Sequence, residues 1–174
     1  MKEVNYKDLK FNPFRLFADE WFILSAGNEK DGMNGMTVSW GQLGCLWGHN
    51  DPVAIVYVRP QRYTKEFIDR EEMFTMSVLP GEMGKVKAYF GSASGRDEDK
   101  TAKSGLTPVY SDGTVYYEQA KLVFICRKMY AGELAEHGFC YPETVSGNYA
   151  GKDFHTVYVG RIEKVLVRDD EYLG

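Results

Sequence analysis

The feature that most constrains this chain is a series of short runs of β-branched and aromatic residues, each stopped by glycine, proline or asparagine. Val53-Ala54-Ile55-Val56-Tyr57-Val58 follows Pro52 and ends at Arg59-Pro60, and Phe74 to Leu79 alternates until Pro80-Gly81. Such residues fit a pleated sheet, and such stops fit turns. Trp21 to Ala26, the polar turn Glu29 to Gly32, and Met36 to Trp40 together predict a hairpin with a long loop. The near-continuous apolar character of Val53 to Val58 predicts a strand buried on both faces.

Three later stretches read as strands: Val115 to Gln119, Leu122 to Leu134, and Thr156 to Val167. In the last, Val157, Val159, Val165 and Val167 mark an inner face. Its alternation shifts between Val159 and Ile162, which predicts a bulge.

Helical spacing is confined to short pieces. Thr64 is placed to cap a helix running to about Glu72, with Phe67 and Ile68 as its apolar face. Met83, Val86 and Tyr89-Phe90 predict a second helix over Glu82 to Phe90, with Gly91 to Gly95 as a loop. A polar third helix over Asp97 to Lys103 would be capped by Ser94 and closed by Gly105, and Ser111-Asp112-Gly113 is a turn. About seven strands and three short helices predict a mainly β (α+β) barrel with flanking helices. A length of 174 residues fits a single domain, 1–174.

The net charge of -4 argues against a nucleic-acid partner, whose phosphates need lysine and arginine. There is no apolar segment of a signal peptide and no apolar run of about 18 residues, so no membrane association and a cytoplasmic location are expected. Cys45, Cys126 and Cys140 form no C-x-x-C pair, and no metal site is expected. No G-x-G-x-x-G or P-loop sequence is present, so a nicotinamide nucleotide would need an open cleft over a resident cofactor.

Three segments could carry chemistry. In Asn34-Gly35-Met36-Thr37-Val38-Ser39-Trp40-Gly41 the Thr37 and Ser39 hydroxyls share one face, and glycines flank the strand. The segment reads either as a wall for a flat heterocycle, with the glycines admitting it closely, or as an edge strand with wet hydroxyls. In Arg59-Pro60-Gln61-Arg62-Tyr63-Thr64 two arginines fall in a turn that opens a helix, which suits a phosphate or a plain N-cap. In Ser94-Gly95-Arg96-Asp97-Glu98-Asp99-Lys100, Arg96 and Lys100 lie i, i+4 and could reach an anion or a partner subunit, or belong to a solvated helix. His155, at the start of the last long strand, could polarise a cofactor or substrate or be an ordinary hydrogen-bonded residue.

In this order the three segments resemble the flavin reductase-like, FMN-binding split-barrel proteins, including flavoredoxin-like members, over about Trp21 to Val167. The resemblance implies a split β-barrel, FMN as cofactor, a homodimer, and NAD(P)H or a redox protein as electron donor. It places Asn34, Met36, Thr37, Val38, Ser39 and Trp40 along the flavin ring. Arg59, Arg62, Tyr63 and Thr64 would hold the phosphate, with Ser94, Arg96 and Lys100 in a segment that closes over the flavin. His155 is implied as the catalytic residue at the reactive side of the ring. Where many members carry Gly-Asp-His, this chain has Lys152-Asp153-Phe154-His155.

Overall fold

The computed structural model describes residues 1–173. Ten strands run through them: β1 (Lys2–Val4), β2 (Phe22–Asn28), β3 (Gly32–Val38), β4 (Gly41–Cys45), β5 (Pro52–Val58), β6 (Met73–Val78), β7 (Pro108–Ser111), β8 (Thr114–Tyr117), β9 (Leu122–Glu133) and β10 (Thr156–Val167). The short helices are α1 (Pro13–Arg15), α2 (Thr64–Arg70), α3 (Gly84–Ser92), α4 (Lys100–Ser104) and α5 (Pro142–Asn148). No helix among the described residues is long and apolar enough to cross a membrane.

Seven strands follow the antiparallel order β3-β2-β6-β9-β10-β5-β4, and β1 pairs with the far half of β10. The two ends of this order, β3 and β4, are consecutive in the chain and joined only by Ser39 and Trp40. Three Cα steps span at most about 11 Å. The sheet must therefore curl until its two ends meet. No ladder joins β3 to β4, so the barrel stays split along one seam.

Alternation sorts each strand between two cores. Phe22, Leu24, Val56, Phe74, Met76 and Phe124 pack in one cluster inside the curl. The intervening Ile23, Val123 and Ile125 join Phe90, Leu106 and Tyr117 in a second cluster. The β7–β8 hairpin covers that outer face, and Thr75 Oγ1 donates to the carbonyl of Val115 at 2.6 Å. Each fully buried side chain of this size contributes roughly 1.5–3 kcal/mol.

The bounds of β10 and its irregularity agree with the sequence reading, since its register against β9 shifts between Val159 and Gly160 and again between Ile162 and Lys164. Its inner face differs ahead of the bulge. Tyr158 joins the barrel core there and Val157 and Val159 do not, because the shift reverses the alternation that Val165 and Val167 obey. β5 is buried mainly on one face, with Ile55 and Tyr57 half-exposed on the other, because the second core does not extend to β5. The β2–β3 loop is short: Asn28 pairs with Gly32, and Asn28 Oδ1 accepts from the N–H groups of Lys30 and Asp31.

Other local expectations change for physical reasons. α3 continues through Gly91, which the sequence assigned to a loop. The polar third helix begins only at Lys100, capped by the Asp99 side chain accepting from Ala102 N–H at 3.0 Å. Ser94 instead closes a small turn, accepting from Arg96 N–H at 3.2 Å. Thr64 is not an N-cap. It lies inside α2, buried, and Tyr63 holds the cap position without a side-chain bond. β4 and α5 were not expected, because Gly41-Gln42-Leu43-Gly44-Cys45 and Pro142 to Asn148 carry no apolar period.

Candidate functional site

Two adjoining cavities open at the seam. The larger, about 160 Å³, is lined by Met36 to Trp40 with Tyr57, Arg59, Arg62 and His155. The smaller, about 90 Å³, is bordered by Asn34, Tyr63, Thr64, Ser94 and Lys100. Met36 and Arg62 line both, so the two lie side by side. Of the residues singled out in the sequence, only Arg96 borders neither. Its guanidinium donates to the Gln61 carbonyl at 3.1 Å, pairs with Glu66 and lies 4.8 Å from the Tyr63 ring centre.

β3 forms one wall because it ends the sheet. It pairs only with β2, so along its other edge alternate N–H and C=O groups lack a strand partner. The side chains of Met36 and Val38 turn into the barrel core. The Thr37 hydroxyl is already engaged, donating to the Lys87 carbonyl of α3. The flanking glycines serve packing rather than ligand approach. A Cβ on Gly35 would strike Tyr117 and Ser25, and one on Gly41 would strike the Phe17 ring.

The smaller cavity is cationic. Lys100 is 4% exposed, and among the described residues its ammonium finds only the Phe90 carbonyl at 3.3 Å and the Phe90 ring at 5.0 Å. Burial, then the nearby Arg62 charge, pushes its pKa down to about 8. Arg62 donates to the Gly91 carbonyl at 3.1 Å, and among the described residues neither cation pairs with a carboxylate. A buried ammonium without a counter-charge is costly and marks a place for an anion. Asn34 Nδ2 donates to Thr64 Oγ1 at 2.8 Å, leaving the Thr64 proton free to donate. Gly95 lies against Asn34 so closely that a Cβ there would collide with Oδ1, which is why the Ser94-Gly95 turn can close on this pocket. The first turn of α2 offers less than the sequence suggested, because the N–H groups of Lys65 and Glu66 are spent on the carbonyls of Arg62 and Tyr63.

The far end of the larger cavity is aromatic and its charges are matched. Arg59 pairs with Asp153, donates to the Asn148 carbonyl at 2.9 Å, and lies 5.3 Å from the Tyr149 ring centre. Gln61 Nε2 also donates to Asp153, at 3.0 Å. Arg59 therefore ties the β9–β10 connection to the start of α2 and is not a free cation for phosphate. His155 is 7% exposed, with Nδ1 2.8 Å from the Tyr149 hydroxyl and its ring 4.9 Å from that of Trp40. Burial, then the Arg59 charge, pushes its pKa down to about 4, so the imidazole is neutral near pH 7.

Sequence reading missed Tyr149, Tyr57 and the closing role of Asp153. Tyr57 carried a signal, since it alternates with the buried Val56 and Val58. Tyr149 carried none, for it ends a helix with no apolar period.

The family model of the flavin reductase like domain matches residues 14–173. Among solved structures, the flavoredoxin of Desulfovibrio vulgaris (Miyazaki F) superposes with a TM-score of 0.68 at 22% identity, over 100% of this chain and 82% of that one. An FMN-binding protein from Thermus thermophilus gives 0.68 at 16% identity, over 97% of this chain and 83% of that one. A split barrel domain protein from Shewanella frigidimarina NCIMB 400 gives 0.67 at 20% identity, over 89% and 72%, and the seam between β3 and β4 is such a split. No curated protein matches the chain. Since the family match runs from Phe14 to Leu173 and takes in every strand that lines the cavities, this chain belongs to the flavin reductase-like family.

Proposed function

We propose that the chain binds FMN across the two adjoining cavities and acts as an oxidoreductase, drawing electrons from NAD(P)H and working as a homodimer. The observation that carries this reading is the adjacency of the two cavities at Met36 and Arg62. A cationic pocket with uncompensated charge lies beside a slot walled by a free strand edge and a neutral imidazole. The donor set fits the cofactor. Arg62 and Lys100 would hold the phosphate, with the Thr64 proton and the Ser94 turn beside them. The free edge from Met36 to Trp40 would meet the polar rim of the ring. When bound, the flavin supplies the hydride and electron chemistry. The protein orients it, excludes water and shapes the approach at His155. A homodimer agrees with the open edge of β4, whose ends carry the exposed Trp40 and Trp47.

The absorbance spectrum of the purified protein, followed by fluorescence titration with FMN, tests the reading. Saturable binding near one FMN per chain is expected, and a colourless protein that takes up none would reject it. Sedimentation tests the dimer, which a monomer at full FMN occupancy would contradict.

A second reading is an electron carrier of flavoredoxin type that does not react directly with NAD(P)H. It is favoured by Asp153 being consumed by Arg59 and Gln61, and by Phe154 stacking on Tyr149 at 4.7 Å, so this flank has few free polar groups for a nucleotide. Anaerobic mixing separates the two. Bleaching within seconds selects the reductase, and unchanged absorbance selects the carrier.

A further inference from the structure

Tyr149 sits where the β9–β10 connection returns across the seam. It is 4% exposed, and its ring packs against Phe154 at 4.7 Å, Phe139 at 5.7 Å and the Arg59 guanidinium at 5.3 Å. With the ring held on several sides, the hydroxyl has one partner among the described residues, His155 Nδ1 at 2.8 Å. Two proton arrangements could make that bond. If Nδ1–H donated to the phenol oxygen, the buried phenol proton would have no acceptor, at a cost of about 1–3 kcal/mol. If the phenol donates to Nδ1, both groups are satisfied and the single imidazole proton sits on Nε2. The His155 imidazole has no other hydrogen bond among the described residues, and it borders the cavity beside Trp40.

We infer that Tyr149 is a positioning residue, which by donating its hydroxyl proton to Nδ1 fixes His155 as the Nε2–H tautomer and presents a neutral hydrogen-bond donor to the cavity. The charged groups around the imidazole support a neutral ring, since Arg59 and Arg62 disfavour its protonation and only Asp153 opposes them. Burial likewise raises the Tyr149 phenol, which keeps its proton. A neutral imidazole N–H is a poor acid, so it stabilises developing negative charge on an acceptor atom without giving up its proton. The matching reactant class carries an acceptor oxygen conjugated to the reacting carbon, as carbonyl and carboxamide compounds do. This use of His155 rests on the flavin reading above, whereas the tautomer does not.

The test is long-range 15N–1H NMR of the imidazoles in flavin-free protein, for the native chain and Tyr149→Phe, with His155→Asn identifying the signals. The native chain should show the Nε2–H pattern for His155 from about pH 8 to pH 5. Tyr149→Phe keeps the ring packing and should show both tautomers, with the titration midpoint moved upward because a bond favouring the neutral form is gone. An Nδ1–H pattern in the native chain overturns the inference, and so does an unchanged pattern in the variant. The second arm uses protein titrated with FMN. Tyr149→Phe should bind FMN as the native chain does, while anaerobic reduction of the flavin by NADH or NADPH slows about 10- to 100-fold, the range of one lost orienting contact. An equal rate overturns the functional half. If neither protein takes up FMN, the flavin reading fails and the NMR result still decides the tautomer.

Discussion

The two ends of the adjoining cavities use similar residues and leave their charges in opposite states. At the aromatic end Arg59 is matched by Asp153 and the Asn148 carbonyl, and the imidazole beside it is neutral. At the other end the hydrogen bonds of Arg62 and the buried Lys100 go, among the described residues, to backbone carbonyls and to no carboxylate. Arg59 and Arg62 are three residues apart in one turn, yet one works as a clasp and the other is open to a ligand. What a cation can do here depends on whether the fold has already supplied its counter-charge.

The sharpest way to break that contrast is to remove each arginine in turn. Arg62→Ala should weaken FMN binding by about 2–3 kcal/mol, the loss of a charge-assisted contact, as read by fluorescence titration. Arg59→Ala should change affinity by less than about threefold and instead lower the melting temperature, because Asp153 keeps the Gln61 contact but loses its charge partner. The reverse assignment of effects would show that the open and matched ends have been confused.

Lys100 sharpens the same contrast. Lys100→Met should weaken FMN binding about tenfold while leaving the flavin-free protein as stable or more so, since the ammonium it removes is buried and uncompensated. The pH dependence has a definite sign. The folded-state pKa of about 8 lies below the ordinary 10.5, so the folded protein sheds this proton first as pH rises. FMN affinity should therefore fall above about pH 8, and flavin-free stability from this group should rise between about pH 8 and pH 10.5. Titration and thermal melts across that range check both.

The smallest effect belongs to the matched end. The His155 pKa is lowered from 6.5 to about 4, so the unfolded chain binds more protons between those values. Stability should therefore drop as pH falls from about 6.5 toward about 4. His155→Asn should remove that slope in melts.

The strands were largely legible because their signals are local. Thr156 to Val167 was bounded correctly from its β-branched run, and its bulge from one break in alternation. β4 was not legible, since its two glycines and single Leu43 gain strand geometry only by pairing with β5. The candidate residues were also readable as segments, and the fold brings all but Arg96 to the seam. Their individual duties were not readable. Thr64 looked like a cap and is a buried acceptor for Asn34, thirty residues away. Gly41 looked like room for a ligand and is room for Phe17.

Backbone preference and side-chain alternation act within a few residues, so the amino-acid order alone determined an antiparallel β-protein with short helices and the three segments that meet at its split. Which charges stay open there was decided by closure of the fold. Asp153 and Tyr149 reach Arg59 in the β5–α2 turn because β10 returns between β9 and β5. Counter-charges and hydrogen-bond partners separated by about ninety residues leave no periodicity in the chain, and only the folded barrel can pair them.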